Sequence, residues 1–269
     1  AYKIYGNIGE LDYLSFGIKE NRYSEDGTMI SLGEIDMRDM EIENSGDFIL
    51  YLGGAETSKN YLPMPKSANM LIVRQTYKNR IKQTHAKINI KNLDSKPIPE
   101  LLTTEKLENQ LNQTLAFVSG TASTFLKWVN EFKLNHKNSL PLGDQSFFQA
   151  AGGDPKICYL HGYYEFNEDE CLQIITDIPE CEYWNFQLEN YWMESLDYRH
   201  YPIHINDSSA TLEDDNSIII TISHSPINIK NNLITEGRNN GAMLLRWIDS
   251  TNNPIPEVKI KKIKSIEIN

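Results

Sequence analysis

Two stretches of the chain, about 172 residues apart, carry one order of signals: an Asp/Asn/Gly turn, an apolar strand, a loop, an Asn-x-Leu crossing and a strand ending in arginine. The first reads GDFILYLGG, NYLP and MLIVRQTY and closes on Arg74; the second reads NSIIITISH, NNLI and MLLRWI and closes on Arg246. The interval from Asn60 to Arg74 is 14 residues and that from Asn231 to Arg246 is 15. A separation this long is not that of a solenoid repeat. It fits a chain built from two related β halves, the alternative being chance recurrence of ordinary strand and turn signals.

The remaining text is consistent with strands. YKIYGNIG, LDYLSFGI, YLHGYYEF, LQIITDI and EYWNFQLENYW are rich in β-branched and aromatic residues, and Gly, Asn and Asp punctuate them. One segment breaks the pattern. After Lys96–Glu100 (KPIPE), the residues Leu107, Leu111, Leu115, Val118, Ala122, Phe125, Val129 and Phe132 step by fours and threes, the period of an amphipathic helix. Thr103 or Thr104 offers its N-cap, Glu105 complements the positive end of its dipole, and Gly120 marks a kink or a close packing point. The apolar stripe is expected to pack into a core. Residues 138–156, with several Gly and Pro, read as a long loop.

The expected fold is mainly β with a helical insertion, a β-sandwich of jelly-roll-like type with two related halves. The boundaries fall at residues 1–95 for an N-terminal β half, 96–156 for the helix and long loop, and 157–269 for a C-terminal β half.

Bulk properties exclude some partners. A net charge of −11 repels phosphate backbones and anionic lipid, so nucleic acid is not expected. The lysines of KIKKIK (Lys259–Lys264) read as the solvated face of an edge strand or as an unstructured end. No run approaches 18 apolar residues, so no membrane-spanning helix is expected. Three cysteines, Cys158, Cys171 and Cys181, form no CxxC pair; they read as mostly buried, reduced thiols, a single disulfide among them being the alternative, and favour a cytoplasmic setting. The chain begins Ala-Tyr-Lys, which leaves room for a targeting segment ahead of it.

Taken as a set, EYWNFQLENYWMESLDYR, NNLITEGRNNGAMLLRW and PIPEV resemble domain of unknown function 1214, a family of bacterial proteins often paired with domain of unknown function 1254. The likeness is best from Tyr159 to Val258. It implies a jelly-roll-type sandwich with helical insertions and carries no reaction. The chain departs from that pattern at Asn232, Ile234 and Arg238, where relatives commonly show Trp, Asp and His.

The most site-like residues are polar and aromatic: Trp184, Gln187, Asn190 and Trp192, with Arg74, Arg238 and Arg246. On a strand, Trp184, Phe186 and Leu188 share one face while Asn185, Gln187 and Glu189 share the other. A buried strand-end arginine is held by a carboxylate such as Asp197, binds an anion bidentately, or reaches solvent. For metal, His204 with His224 across neighbouring strands is a weak candidate; His200 and His204 stand roughly 13 Å apart along one strand. No nucleophile elbow, catalytic-cysteine signature or phosphate-cradling glycine loop occurs, so no cofactor is expected.

Two functions follow. One is a non-catalytic binding or assembly module, holding a small polar or anionic ligand or another subunit in a homo-oligomer, suggested by abundant Tyr and Trp beside absent catalytic motifs. The other is a hydrolase or lyase of unfamiliar type acting on a small organic acid or glycoside, with Asp197 and Tyr198 as acid–base groups and Arg246 as carboxylate clamp.

Overall fold

The structure, a computed structural model, describes residues 1–56, 58–94 and 101–266; the KPIPE segment lies outside them. The chain divides into two units, Ala1–Gly120 with Ala150–Gly152, and Thr121–Gln149 with Gly153–Asn269. Strands dominate both, with one long helix, as the sequence led us to expect.

In the first unit the strands are β1 (Tyr2–Asn7), β2 (Tyr13–Arg22), β3 (Thr28–Asp36), β4 (Asp47–Leu52), β5 (Tyr61–Leu62), β6 (Met70–Thr76) and β7 (Lys87–Asn92). They form two sheets ordered β5-β4-β1-β7 and β3-β2-β6. Alternate residues of both sheets meet in one core, including Ile4, Leu14, Phe16, Ile18, Phe48 and Leu50. That is a β-sandwich.

The second unit holds β8 (Ile157–Glu165), β9 (Glu170–Asp177), β10 (Tyr183–Leu188), β11 (His204–Asn206), β12 (Ser217–Ser223), β13 (Asn232–Ile234), β14 (Asn240–Ile248) and β15 (Glu257–Lys262). Its sheets run β13-β12-β9-β15 and β11-β10-β14-β8. Leu172, Ile174, Ile218 and Ile220 from one sheet meet Trp184, Phe186, Leu245 and Trp247 from the other.

Apart from β8, the second list is the first one repeated: β1 to β7 map in order onto β9 to β15, strand neighbours included. Each unit pairs one short strand in parallel, β4 with β5 and β12 with β13, while its other strand pairs are antiparallel. Register agrees as well. Ile4 faces Leu50 as Ile174 faces Ile220, and Arg74 faces Ser15 as Arg246 faces Asn185.

Side chains repeat the agreement. The Asn60 amide donates to the carbonyls of Glu41 and Ile49 and accepts from the Glu41 amide. Asn231 donates to the carbonyls of Thr211 and Ile219 and accepts from the Thr211 amide. The Asn of each Asn-x-Leu crossing is thus a clamp that satisfies backbone groups beside the parallel pair, where a shortened strand leaves them open.

Helix α1 spans Thr104–Asn135 and α2 spans Gln145–Ala150, the latter within the stretch read from sequence as loop. Thr103 caps α1: its Oγ1 accepts from the Lys106 amide at 3.2 Å. Gly120 is a packing point, since a Cβ there would stand 2.4 Å from the Tyr23 carbonyl oxygen. The expectation that the apolar stripe of α1 packs into a core fails over most of its length. Trp128, Val129 and Phe132 are buried, whereas Leu107, Leu111, Leu115 and Val118 are exposed. Thirty-two residues span about 48 Å at about 1.5 Å each, more than a nine-residue strand of about 30 Å can cover.

KIKKIK ends as the exposed edge strand β15 and the short turn after it. Among the described residues no helix is long and apolar enough to cross a membrane.

Candidate functional site

The sheet β11-β10-β14-β8 turns Trp184, Phe186 and Leu188 inward, as the alternation of β10 predicts. Its other face carries Asn185 and Gln187 from β10, with Glu189 just beyond. Pairing builds rows across this face. Tyr159, Arg246, Asn185 and Asn206 form one row; His161, Leu244, Gln187 and His204 form the next.

Aromatic side chains from the helices cover part of the face. Phe132 stacks on His161 at 4.9 Å between ring centroids, with Trp128 at 5.8 Å and Phe148 at 4.7 Å. Tyr159, two residues back on β8, stacks at 6.1 Å. His161 is therefore buried, and its Nδ1 has no hydrogen-bond partner. Desolvation, with the Arg246 charge adding to it, lowers its pKa to about 3. The ring is neutral.

Glu189 is also buried. Its Oε1 accepts a long bond from Gln187 at 3.5 Å, and Oε2 has none. Burial raises its pKa to about 7, against the opposing pull of the Arg246 charge. Arg246 itself is half-buried and makes no side-chain hydrogen bond or ion pair among the described residues. Asn185, directly across from it, has a buried Oδ1 without a partner. An arginine with uncommitted donors thus stands among a neutral imidazole, a carboxyl that titrates near neutrality and an unsatisfied amide. Such a set can bind an anion: the guanidinium offers a bidentate fork, and a protonated Glu189 offers one more donor.

At the matching place in the first unit, Arg74 donates to the Gly152 carbonyl at 2.8 Å and stands 3.9 Å from Glu34. Glu34 is paired with the fully buried Lys19, which also donates to Ser31 at 3.1 Å. The Ser15 hydroxyl and Arg74 Nη1 are buried without partners. Here the arginine is largely sealed.

The other sequence candidates scatter. Trp184 is core, packed at 6.1 Å from Trp247. Asn190 closes a turn, accepting from the amides of Trp192 and Glu194, and Trp192 is exposed. Arg238 is paired with Glu236. Asp197 binds Arg199 at 2.9 Å rather than a strand-end arginine, and that bond holds its pKa below the usual carboxylate range. Its amide is bonded by Glu236 at 2.6 Å, which places Asp197 by Arg238; exposed Tyr198 follows it. From Asn240, beside Arg238, to Arg246 the strand runs about 20 Å. Arg238 and Arg246 therefore do not share one cleft, and Asp197 and Tyr198 are not gathered around Arg246.

His204 and His224 are not on neighbouring strands, because β11 and β12 belong to different sheets. His224 has Nδ1 at 3.0 Å from Thr235 and Nε2 at 3.3 Å from the Phe166 carbonyl. Among the described residues no group of three His, Cys, Asp or Glu could hold a metal. The three cysteines form no disulfide; burial pushes Cys158 up to about 11, which makes it unreactive as a thiolate.

His161, Asn185 and Glu189 are the residues a reading for sites passes over. The available signal was a histidine and an acid at outward positions of aromatic-rich strands, but outward positions are usually solvated, and only the helical cover makes these costly.

No family model matches the sequence, and no curated protein matches it. Among solved structures, an uncharacterised protein from Burkholderia cenocepacia is 34% identical, with a TM-score of 0.93 over 98% of this chain and 73% of its own. The VPA0106 protein from Vibrio parahaemolyticus is 12% identical, with a TM-score of 0.51 over 97% of this chain and 86% of its own; that likeness concerns fold alone.

Proposed function

Since the chain belongs to the family of the uncharacterised Burkholderia cenocepacia protein, and that relationship assigns no reaction, we propose from the site itself a non-catalytic binding module for a small anion, held at Arg246. The observation that carries the reading is the uncommitted guanidinium of Arg246 beside buried polar atoms of Asn185 and Glu189 that lack partners. An unpaired buried polar group costs about 1–3 kcal/mol; a protonated Glu189 donates to the anion, and a ligand hydroxyl, as in hydrogen phosphate or a hydroxy acid, donates to the Asn185 Oδ1 acceptor. A carboxylate or phosphate of a few atoms fits this donor set. Glu189 makes the binding pH-dependent. Its protonated form donates, so affinity falls as the pH rises through about 7.

Membership of the domain of unknown function 1214 family, and a jelly-roll path within each sandwich, are part of the same proposal and rest on the residues quoted for them. The assembly form of the reading has one supporting observation, the exposed stripe of Leu107, Leu111 and Leu115 on α1.

The test is thermal unfolding and titration calorimetry of the whole chain with acetate, malonate, citrate and inorganic phosphate. At least one should stabilise the protein at pH 6, and Arg246→Ala should abolish that effect while Arg238→Ala, an exposed ion-pair control, retains it. Absence of stabilisation by every anion, or equal stabilisation of the Arg246→Ala protein, would refute the reading.

A further inference from the structure

The two sandwiches differ at one end, and the difference is a strand. In the second unit β8 lies beside β14, and its inward residue Tyr164 faces Gly241. Gly241 is required there: a Cβ would stand 2.5 Å from the Tyr164 hydroxyl oxygen and 2.3 Å from the Glu189 carbonyl. Phe166 follows, 6.1 Å from Tyr164 and 4.5 Å from His224. Both rings are buried and join the core. They plug the end of the second sandwich next to Leu188 and Met243.

Among the described residues the first unit has no counterpart of β8, and β6 is the outer strand of its sheet. Register maps Leu188 onto Ile18, Met243 onto Leu71 and Gly241 onto Asn69. These same residues line an open pocket of about 430 Å³, together with Leu52, Met64 and Ala68. Its volume lies in the range of small-molecule sites, about 300–1,000 Å³, which are characteristically apolar. Among the described residues, no charged one lines it. The Asn69 amide is committed to the Asn21 backbone in both directions, at 2.7 and 3.0 Å. Met64, at the rim, is partly exposed and unbranched, a side chain that adapts to what it covers.

We infer that the open end of the first sandwich is a binding pocket for a neutral, mainly apolar molecule bearing one or two rings, which takes the place that Tyr164 and Phe166 fill in the second. A charged ligand is disfavoured because the described lining offers it no counter-ion, while Tyr2 supplies one hydroxyl for a polar substituent on a ring. The pocket is built entirely from the first unit, so it is independent of the anion site at Arg246.

The side-chain analogues p-cresol and toluene are the probes, titrated into the whole chain and followed by ligand-observed NMR and by thermal unfolding. Both should bind and raise the melting temperature. Ala68→Phe, which fills the pocket, should weaken binding at least tenfold and leave the anion response intact. Met64→Trp at the rim is the second variant, serving if Ala68→Phe does not fold, and should have the same effect. The inference is overturned if neither probe binds the unaltered chain, or if a folded filled variant binds as well as the parent. It is also overturned if the probes bind only by dissociating a self-associated form.

Discussion

Lys19 and Glu189 occupy the same position in the two sandwiches with opposite charge. Each follows the last core residue of its strand, Ile18 or Leu188, on the outward face, and both are buried. Lys19 is compensated by Glu34 and Ser31; Glu189 has an oxygen with no partner. One position is thus settled and the other is not.

Glu189 should make the protein less stable as the pH rises. Its folded pKa of about 7 lies above the ordinary carboxylate value, so the folded state holds a proton that the unfolded state has released. Nothing is lost below about pH 4, where both states are protonated; the loss develops through pH 7 and then levels off at about 3 kcal/mol. Glu189→Gln should therefore raise denaturation midpoints near pH 8 and leave those near pH 4 unchanged. Urea titrations at the two pH values measure this.

His161 acts in the other direction. Its folded pKa is depressed, so its contribution is fully present above about pH 6.5 and is lost as the pH falls toward 3. His161→Phe, in a cage already formed by Phe132, Phe148 and Trp128, should remove that acid sensitivity. The melting-temperature difference between variant and parent should widen in favour of the variant as the pH drops below 6.5.

Lys19→Met should destabilise the chain by about 3 kcal/mol, because removing one partner leaves Glu34 in a mostly buried site. Adding Glu34→Gln to that variant should recover part of the loss. Chemical denaturation of the parent, both single variants and the double variant measures the coupling.

Asn60→Ala and Asn231→Ala should each cost about 2 kcal/mol or more, since each amide closes three bonds to backbone groups at a parallel strand pair. Similar losses at the two sites would reflect their shared role. Calorimetric unfolding is the measurement.

Leu111→Lys and Leu115→Lys should shift stability by no more than about 0.5 kcal/mol, because both side chains are exposed on α1. Guanidinium midpoints decide this. A loss of several kcal/mol would mean that the stripe is covered in solution.

Much of the fold could be read from the sequence because it depends on local chemistry. The two-residue period of Trp184 to Glu189 sorts core from outward side chains, since successive Cβ atoms point to opposite faces whatever covers them. The Asn-x-Leu crossings and strand-end arginines mark equivalent places in a duplicated path, and the Thr103 cap fixes where α1 starts. The stripe on α1 misled, because periodicity tells which residues share a face but not whether another element lies against it.

The sequence by itself therefore determined a β-rich chain of two related halves, the alternation that sets their outward faces and the equivalence of Arg74 with Arg246, while the structure showed that each half closes into a sandwich of its own. Tertiary structure decided what those faces mean. It sealed Arg74 against Gly152 and Glu34, left Arg246 uncommitted, and set Trp128, Phe132 and Phe148 over His161. The physical reason is desolvation: the free energy of a charged or polar group depends on what removes water from it, and here those groups come from segments distant in sequence.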